Sequence, residues 1–271
     1  MDADGLVKSE DSPRGILNFG RALSRFELRR FPPQGKLAAW VEGYWQVSWE
    51  LGAGEEHFQS NISHASFNIV FEADGTWLYG VPDRVFSRRL SGRGLAFGVK
   101  FLPGGFYPFA RKELSQYHGM RMPLEGLWPE AAEAQRALGS GTAAERIAAM
   151  TALLEPRLPA LPARSTALAM RMEAEPSAFT VSRAAAELGM GVRALEKLFR
   201  TELGIGPKEV LRRYRLQSAA ERLARPDAPA CGDLALELGY ADQAHFIKDF
   251  KAVVGRPPMA YRSDQAEGPR G

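Results

Sequence analysis

A single cysteine, Cys231, in 271 residues rules out an intrachain disulfide and with it the disulfide-stapled class of small secreted folds. No stretch approaches the run of about eighteen apolar residues that a membrane-spanning helix needs. The opening MDADGLVKSEDSPRGILNFG has no apolar segment of the signal-peptide kind, so a reduced, cytoplasmic setting is the expectation. Motifs that carry chemistry are equally scarce. His57, His64 and Glu72 are too widely spaced for the tight His-x-His pattern of metal-holding sheets, so no metal or other cofactor is expected. There is no strand-turn-helix nucleophile motif, and no Lys-Ser/Thr follows Gly104-Gly105 to make a phosphate loop. Cys231 has no partner thiol and reads as a small residue opening a helix. Nothing here suggests an enzyme.

Charge is nearly balanced, with 35 Lys and Arg against 32 Asp and Glu, but it is unevenly placed. Residues 164–262 hold sixteen basic against twelve acidic side chains, and the remainder nineteen against twenty. The positive excess therefore sits in the C-terminal third, as a DNA-facing domain would have it.

The chain is long enough for two domains. Residues 1–15 are polar, without periodicity, and read as a disordered tail. From Leu37 the pattern is of strands. Ala39, Val41, Trp45, Val47, Trp49 and Leu51 alternate with polar neighbours, and Phe67-Ile69-Phe71 and Leu95-Phe97-Val99-Phe101 repeat the period of two. Turn signals at 52–54, 73–75, 81–83 and 102–105 separate these runs. They predict a β-rich, barrel-like or sandwich domain over about 37–105. After Pro129 the text turns rich in Ala, Leu, Glu and Arg, which predicts flanking helices. Pro159 and Pro162 mark a linker at 158–164. The resulting expectation is an α+β two-domain chain, with a β-rich part at 1–157, an all-α part at 165–262 and a tail at 263–271.

The C-terminal third contains one pattern twice. VSRAAAELGMGVRALEKLFRTELG (181–204) and CGDLALELGYADQAHFIKDFKAVVG (231–255) align on Glu-Leu-Gly at 187–189 and 237–239. Ala185 matches Ala235, Phe199 and Phe250 close the copies, and the second turn is one residue longer. Gly189 and Gly239 stand where a helix must end with positive φ, and Ala185 and Ala235 stand where a second helix must cross closely. This is the helix-turn-helix arrangement, whose second helix can lie in the major groove. A single copy is weak evidence, since helical hairpins abound. Two copies joined by a basic helix carrying Lys208, Arg212, Arg213 and Arg215 are much stronger, and Lys208 and Arg212 are expected to bind DNA through its phosphates. The outward faces of the second helices are expected to carry Arg193, Ala194, Glu196, Lys197 and Arg200, and Asp242, Gln243, Ala244, His245, Lys248 and Lys251.

These residues resemble the AraC family of bacterial regulators across about 179–262. The likeness is carried by Gly239-Tyr240, Asp242-Gln243, His245-Phe246, Phe250-Lys251, Gly255, Pro258 and Tyr261-Arg262, with LFRTELGIGPKEVLRRYRL (198–216) between the units. The resemblance implies sequence-specific DNA binding, with Arg193, Glu196, Lys197, Ala244, His245 and Lys248 at base-facing places. It leaves activation or repression open. Lys197 and Lys248 stand where the family often has Arg, and Lys lacks the planar fork, so looser readout is expected there. The N-terminal part resembles, on LAAWVEGYW (37–45) and FGVKFLPGGFYPF (97–109), a β-rich sensor domain found ahead of such modules. Ser63-His64 replaces the Pro-Asp expected there. Trp45, His64, Phe67, Trp77 and Phe97 are the candidate effector-binding residues, although the aromatics could equally be packed core. Any signal is expected to pass through the helices of 129–157. Expected partners are duplex DNA, a small-molecule effector, RNA polymerase and a second copy of the chain, with no membrane. The rival readings are a catalytic domain targeted to DNA, and a constitutive regulator whose β part only dimerises.

Overall fold

The computed structural model describes residues 25–266 apart from Gln34, Arg84 and Ser140. The tail expected at 1–15 and the last residues, 267–271, lie outside the described residues.

Eight strands form among the described residues: β1 (Glu27–Phe31), β2 (Val41–Glu50), β3 (Glu56–Asn61), β4 (Asn68–Glu72), β5 (Gly75–Tyr79), β6 (Phe86–Ser91), β7 (Arg93–Phe101) and β8 (Arg121–Pro123). Six of them make one sheet in the order β1-β2-β7-β4-β5-β8, and β3 and β6 pair separately as a two-stranded ribbon. Every pairing is antiparallel. The barrel-like expectation is corrected here: β1 and β8 are edges and the sheet is open. Ten residues of β2 and nine of β7 run the length of the sheet, but β4, β5 and β8 are too short to carry it round to β1.

The alternation in β2 is present but points the other way from its simplest reading. A register shift between Val41 and Gly43 puts Val41, Tyr44 and Gln46 on the buried face with Phe97 and Val99. Trp45, Val47 and Trp49 then lie on the opposite, half-covered face. Trp45 faces Gly98 and Trp49 faces Gly94 across the β2–β7 pair. A Cβ on Gly98 would come within 2.4 Å of the Trp45 indole, and one on Gly94 within 2.1 Å of Trp49. Both glycines are required by this close approach. Trp49, Val47 and Leu51 pack with Phe26 and Leu90, forming a small cluster separate from the main core. Gln46 is tolerated inside because Arg146 donates to its Oε1 at 3.2 Å.

The buried face is covered by helices from the Ala-rich segment, which follow the short α1 (Tyr107–Ala110): α2 (Ala131–Leu138) and α3 (Ala143–Leu154). Thr142 and Glu145 close a capping box at the start of α3. Ile147, Met150 and Leu154 join Tyr44, Phe97 and Val99 in one core, and the Tyr44 hydroxyl lies 3.0 Å from Thr151 Oγ1.

The last third is α4 (Thr166–Ala174), α5 (Val181–Glu187), α6 (Val192–Leu203), α7 (Pro207–Leu223), α8 (Cys231–Glu237), α9 (Gln243–Val254) and α10 (Pro258–Ala266). The helix α10 runs past Arg262, where the sequence suggested a tail. The main hydrophobic core does not stop at 158–164; it continues from the sheet into Leu168, Met172, Phe179, Leu195, Phe199 and Tyr214. A second core holds Leu216, Leu234, Ala235, Phe246, Phe250 and Tyr261.

Candidate nucleic-acid interface

In each unit a seven-residue helix, α5 or α8, ends on a glycine of positive φ, +63° at Gly189 and +75° at Gly239. The chain turns back identically after each, with the Met190 N–H donating to Ala185 O at 3.1 Å and the Tyr240 N–H to Ala235 O at 3.0 Å. This helix-ending bond needs the left-handed residue that glycine supplies cheaply. Ala185 and Ala235 are buried where the second helix crosses, as are Leu195 and Phe199 on α6 and Phe246 and Phe250 on α9. The entries to the second helices differ. Asp242 caps α9 by accepting from the His245 N–H at 2.7 Å, whereas Gly191 precedes α6 without a side-chain cap.

Arg193, Glu196, Lys197 and Arg200 are all exposed on α6, and Gln243, Ala244, His245, Lys248 and Lys251 on α9. Allowing for the longer second turn, the stripe Arg193-Lys197-Arg200 corresponds to Ala244-Lys248-Lys251. Each stripe lies along one helix face at spacings of four and three. The α9 stripe carries one cation fewer. Its His245 packs edge-on against Tyr240, with ring centroids 5.4 Å apart, and its Nε2 lies 3.7 Å from Asp249. The Gln243 amide lies beside Gly232 and Cys231 at the start of α8. Burial pushes the Cys231 thiol up, which suits a packed helix-start residue.

The joining helix α7 is basic in sequence yet spends most of its arginines internally. Arg212 donates to Glu209 at 3.3 Å and pairs with Asp249 of α9 at 3.1 Å, so it ties α7 to the second unit. Arg213 is buried, and its head groups reach Glu209 Oε1 at 2.9 Å and Pro82 O at 2.6 Å. Arg215 donates to Pro176 O, Phe179 O and Gly239 O at 2.9–3.4 Å, joining the approach to one unit to the turn of the other. Lys208 alone of the four stands exposed at the start of α7. Composition identified these cations; only the fold tells which face inward.

The five candidate effector residues are not gathered at one place. Phe97 and Phe67 are core, stacked on Tyr44 and Phe106 at 6.2 and 5.5 Å. Trp77 lies under the Arg121 guanidinium at 3.4 Å, on the strand that pairs with β8. Trp45 and His64 are linked only indirectly, through Lys100. The Trp45 indole N–H donates to Asn68 Oδ1, and Asn68 lies opposite Lys100, which pairs with Glu42 at 2.8 Å. His64 Nδ1 lies 3.3 Å from Glu173 of α4. Burial and the Lys100 charge hold the imidazole below its ordinary range, against the pull of Glu173. The helices of 129–157 are not the only route between sheet and module. The Leu114–Tyr117 turn packs on α6, and a Cβ on Gly204 would come within 3.0 Å of Leu114 O.

Residues 184–264 match the family model described as a helix-turn-helix domain, and residues 29–123 match a domain of unknown function (DUF6597). The chain is 33% identical over 113 residues, 42% of its own length and 37% of the relative's, to the RCS-specific HTH-type transcriptional activator RclR of Escherichia coli. It is 31% identical over 101 residues, 37% of its own length and 33% of the relative's, to a putative AraC-like transcription regulator of Streptomyces lividans. It spans between 22% and 37% of the length of the curated relatives it matches first. Among solved structures, the DNA-binding domain of AdpA in complex with a target DNA is similar at 27% identity, covering 38% of this chain and 94% of that one with a TM-score of 0.34. Through its two helix-turn-helix units the C-terminal third of the chain is similar to the DNA-binding part of AraC-like transcription regulators.

Proposed function

We propose that the whole chain is a sequence-specific, DNA-binding transcription regulator of the cytoplasm. The observation that carries this reading is the pair of matched, solvent-facing cationic stripes, Arg193-Lys197-Arg200 and Ala244-Lys248-Lys251, each on the second helix of a glycine-closed unit. Side chains on such helices reach base edges, while Lys208 and the helix ends engage phosphate. RNA polymerase is the downstream partner in this reading. Control by a small molecule acts through Trp45 and His64, two partly buried side chains, of which His64 meets Glu173 of the helical part. A second copy of the chain would appear as a doubled stoichiometry on DNA. Anisotropy titration of the full chain on DNA selected from a random pool tests the reading. The expected result is two short preferred blocks about one helical turn, roughly 10 base pairs, apart, with affinity falling steeply as salt rises. Salt-insensitive binding, or a pool that yields no preferred sequence, would refute it.

A further inference from the structure

Ile62, Ser63 and His64 are consecutive residues of the loop between β3 and β4, and each touches a different part of the helical module. Ile62, 2% exposed, lies inside the core of the second unit with Leu216, Leu234, Phe246 and Phe250, and the neighbouring Val85 packs on the same core. Its carbonyl accepts from the buried Gln217 amide of α7 at 3.5 Å. The Ser63 carbonyl faces Arg213 Nη1 at 3.5 Å, and Arg213 Nη2 donates to Pro82 O on the adjoining loop. His64 meets Glu173 on α4, whose Leu168 and Met172 belong to the core of the first unit. Arg213 and Gln217 are one turn apart on α7, so both loops grip the same face of the joining helix. The first unit is meanwhile held to the sheet elsewhere, where Gly204 at the end of α6 abuts Leu114 and Phe67.

A module joined only by α7 would fix its two units at two points. Here the β-rich part supplies a third. We infer that the segment Ile62–His64 is a positioning element that sets the relative orientation of the two DNA-reading units, and so the block spacing the chain accepts. An apolar side chain lent to another unit's core is a stiff coupling, because a close-packed interior does not allow it to slide. The positioning residue is Ile62, which lies in the buried core with Phe246 and Phe250 and is not itself part of the exposed stripe on α9. This inference rests on the DNA-binding reading and adds that the N-terminal part takes part in the readout geometry.

The test uses the full chain and the two blocks selected above. Affinity is measured for duplexes carrying both blocks at the selected spacing, both blocks two base pairs closer or further apart, and each block alone. The unaltered chain should discriminate against the altered spacings by about tenfold or more, a loss comparable to mismatching one base pair. Ile62→Ala should reduce that ratio to about threefold or less while leaving each single-block affinity within about twofold. Ile62→Val, which keeps the branched side chain in place, should restore the spacing preference, and His64→Gln should lower it partially. An unchanged spacing ratio in Ile62→Ala would overturn the inference. Loss of binding to the second block alone, in step with the spacing ratio, would also overturn it by making Ile62 a stability residue only. If the unaltered chain shows no salt-dependent binding, the reading beneath falls first and the inference falls with it.

Discussion

At the scale of single residues, the exposed cations of the reading helices and the internally paired arginines of α7 should respond differently to substitution. Arg193 and Lys248 stand free on the reading helices, so alanine at either should cost about 1–3 kcal/mol on the selected site and relax preference at particular bases. Competition with single-base variants of the site checks this, and equal losses on selected and random DNA would contradict it. Lys208→Ala should weaken all sequences alike and lower the salt slope by about 1. Arg212→Ala should do neither. Its guanidinium is spent on Glu209 and Asp249, so the expected effect is about 1 kcal/mol or less of unfolding free energy with an unchanged salt slope. His64 gives a pH signature. Burial, helped by Lys100 and opposed by Glu173 and Glu42, keeps its folded value below the ordinary 6.5. The unfolded chain therefore takes up this proton first. The stability contributed by a neutral His64 is complete above 6.5 and declines as pH falls from there toward the lower folded value. Thermal unfolding at pH 7.5 and 5.5 should show a smaller difference in His64→Gln than in the unaltered chain.

At the scale of elements, the two turns were legible because they are local. A glycine at positive φ, a small residue four positions earlier and an aromatic closing the second helix are properties of a short segment of chain. Gly189→Ala has open space for the new methyl, so it should cost only the left-handed strain, about 1–2 kcal/mol. Gly239→Ala should cost more. A Cβ there would meet the Arg215 guanidinium at 3.3 Å, disturbing the bonds to Pro176 and Phe179. Denaturant titration of the two variants should rank them in that order. The strands were legible in number and spacing only in part. β2, β4 and β7 follow the alternation, but the bulge beside Gly43 decides which face of β2 is the core side. A bulge has no signature in hydrophobic periodicity. The ribbon strands β3 and β6, rich in Ser, Arg and Gln, carry too little apolar contrast to be read at all.

At the scale of the whole molecule, proline-rich text at 158–164 suggested a clean division that the packing does not respect. One core runs from the sheet through α6 and the first half of α7, and Ile62 serves the second unit from about 150 residues away in sequence. No window along the chain contains that information, because it arises from contacts that only the assembled fold makes. A fragment covering 165–271 would consequently lose the sheet residues that share one core with Leu203, Ile205 and Tyr214, and should expose apolar surface there. It should unfold at lower denaturant than the full chain and bind a hydrophobic dye, whereas equal midpoints would show that the two parts are energetically independent.

The flat approach of Trp45 to Gly98 has an optical consequence. Of the five tryptophans, Trp40 and Trp128 are buried, Trp77 lies under the Arg121 cation and Trp49 faces the small cluster on the outer sheet. Trp45 alone donates to Asn68, whose partner across the strand pair is Lys100, the residue whose charge reaches His64. Its emission colour and its access to a soluble quencher should therefore report on the β2–β7–β4 strand pairs around Asn68 and Lys100. A chain with the other four indoles replaced by phenylalanine would carry its own lamp on that face of the sheet, readable in solution while DNA is added.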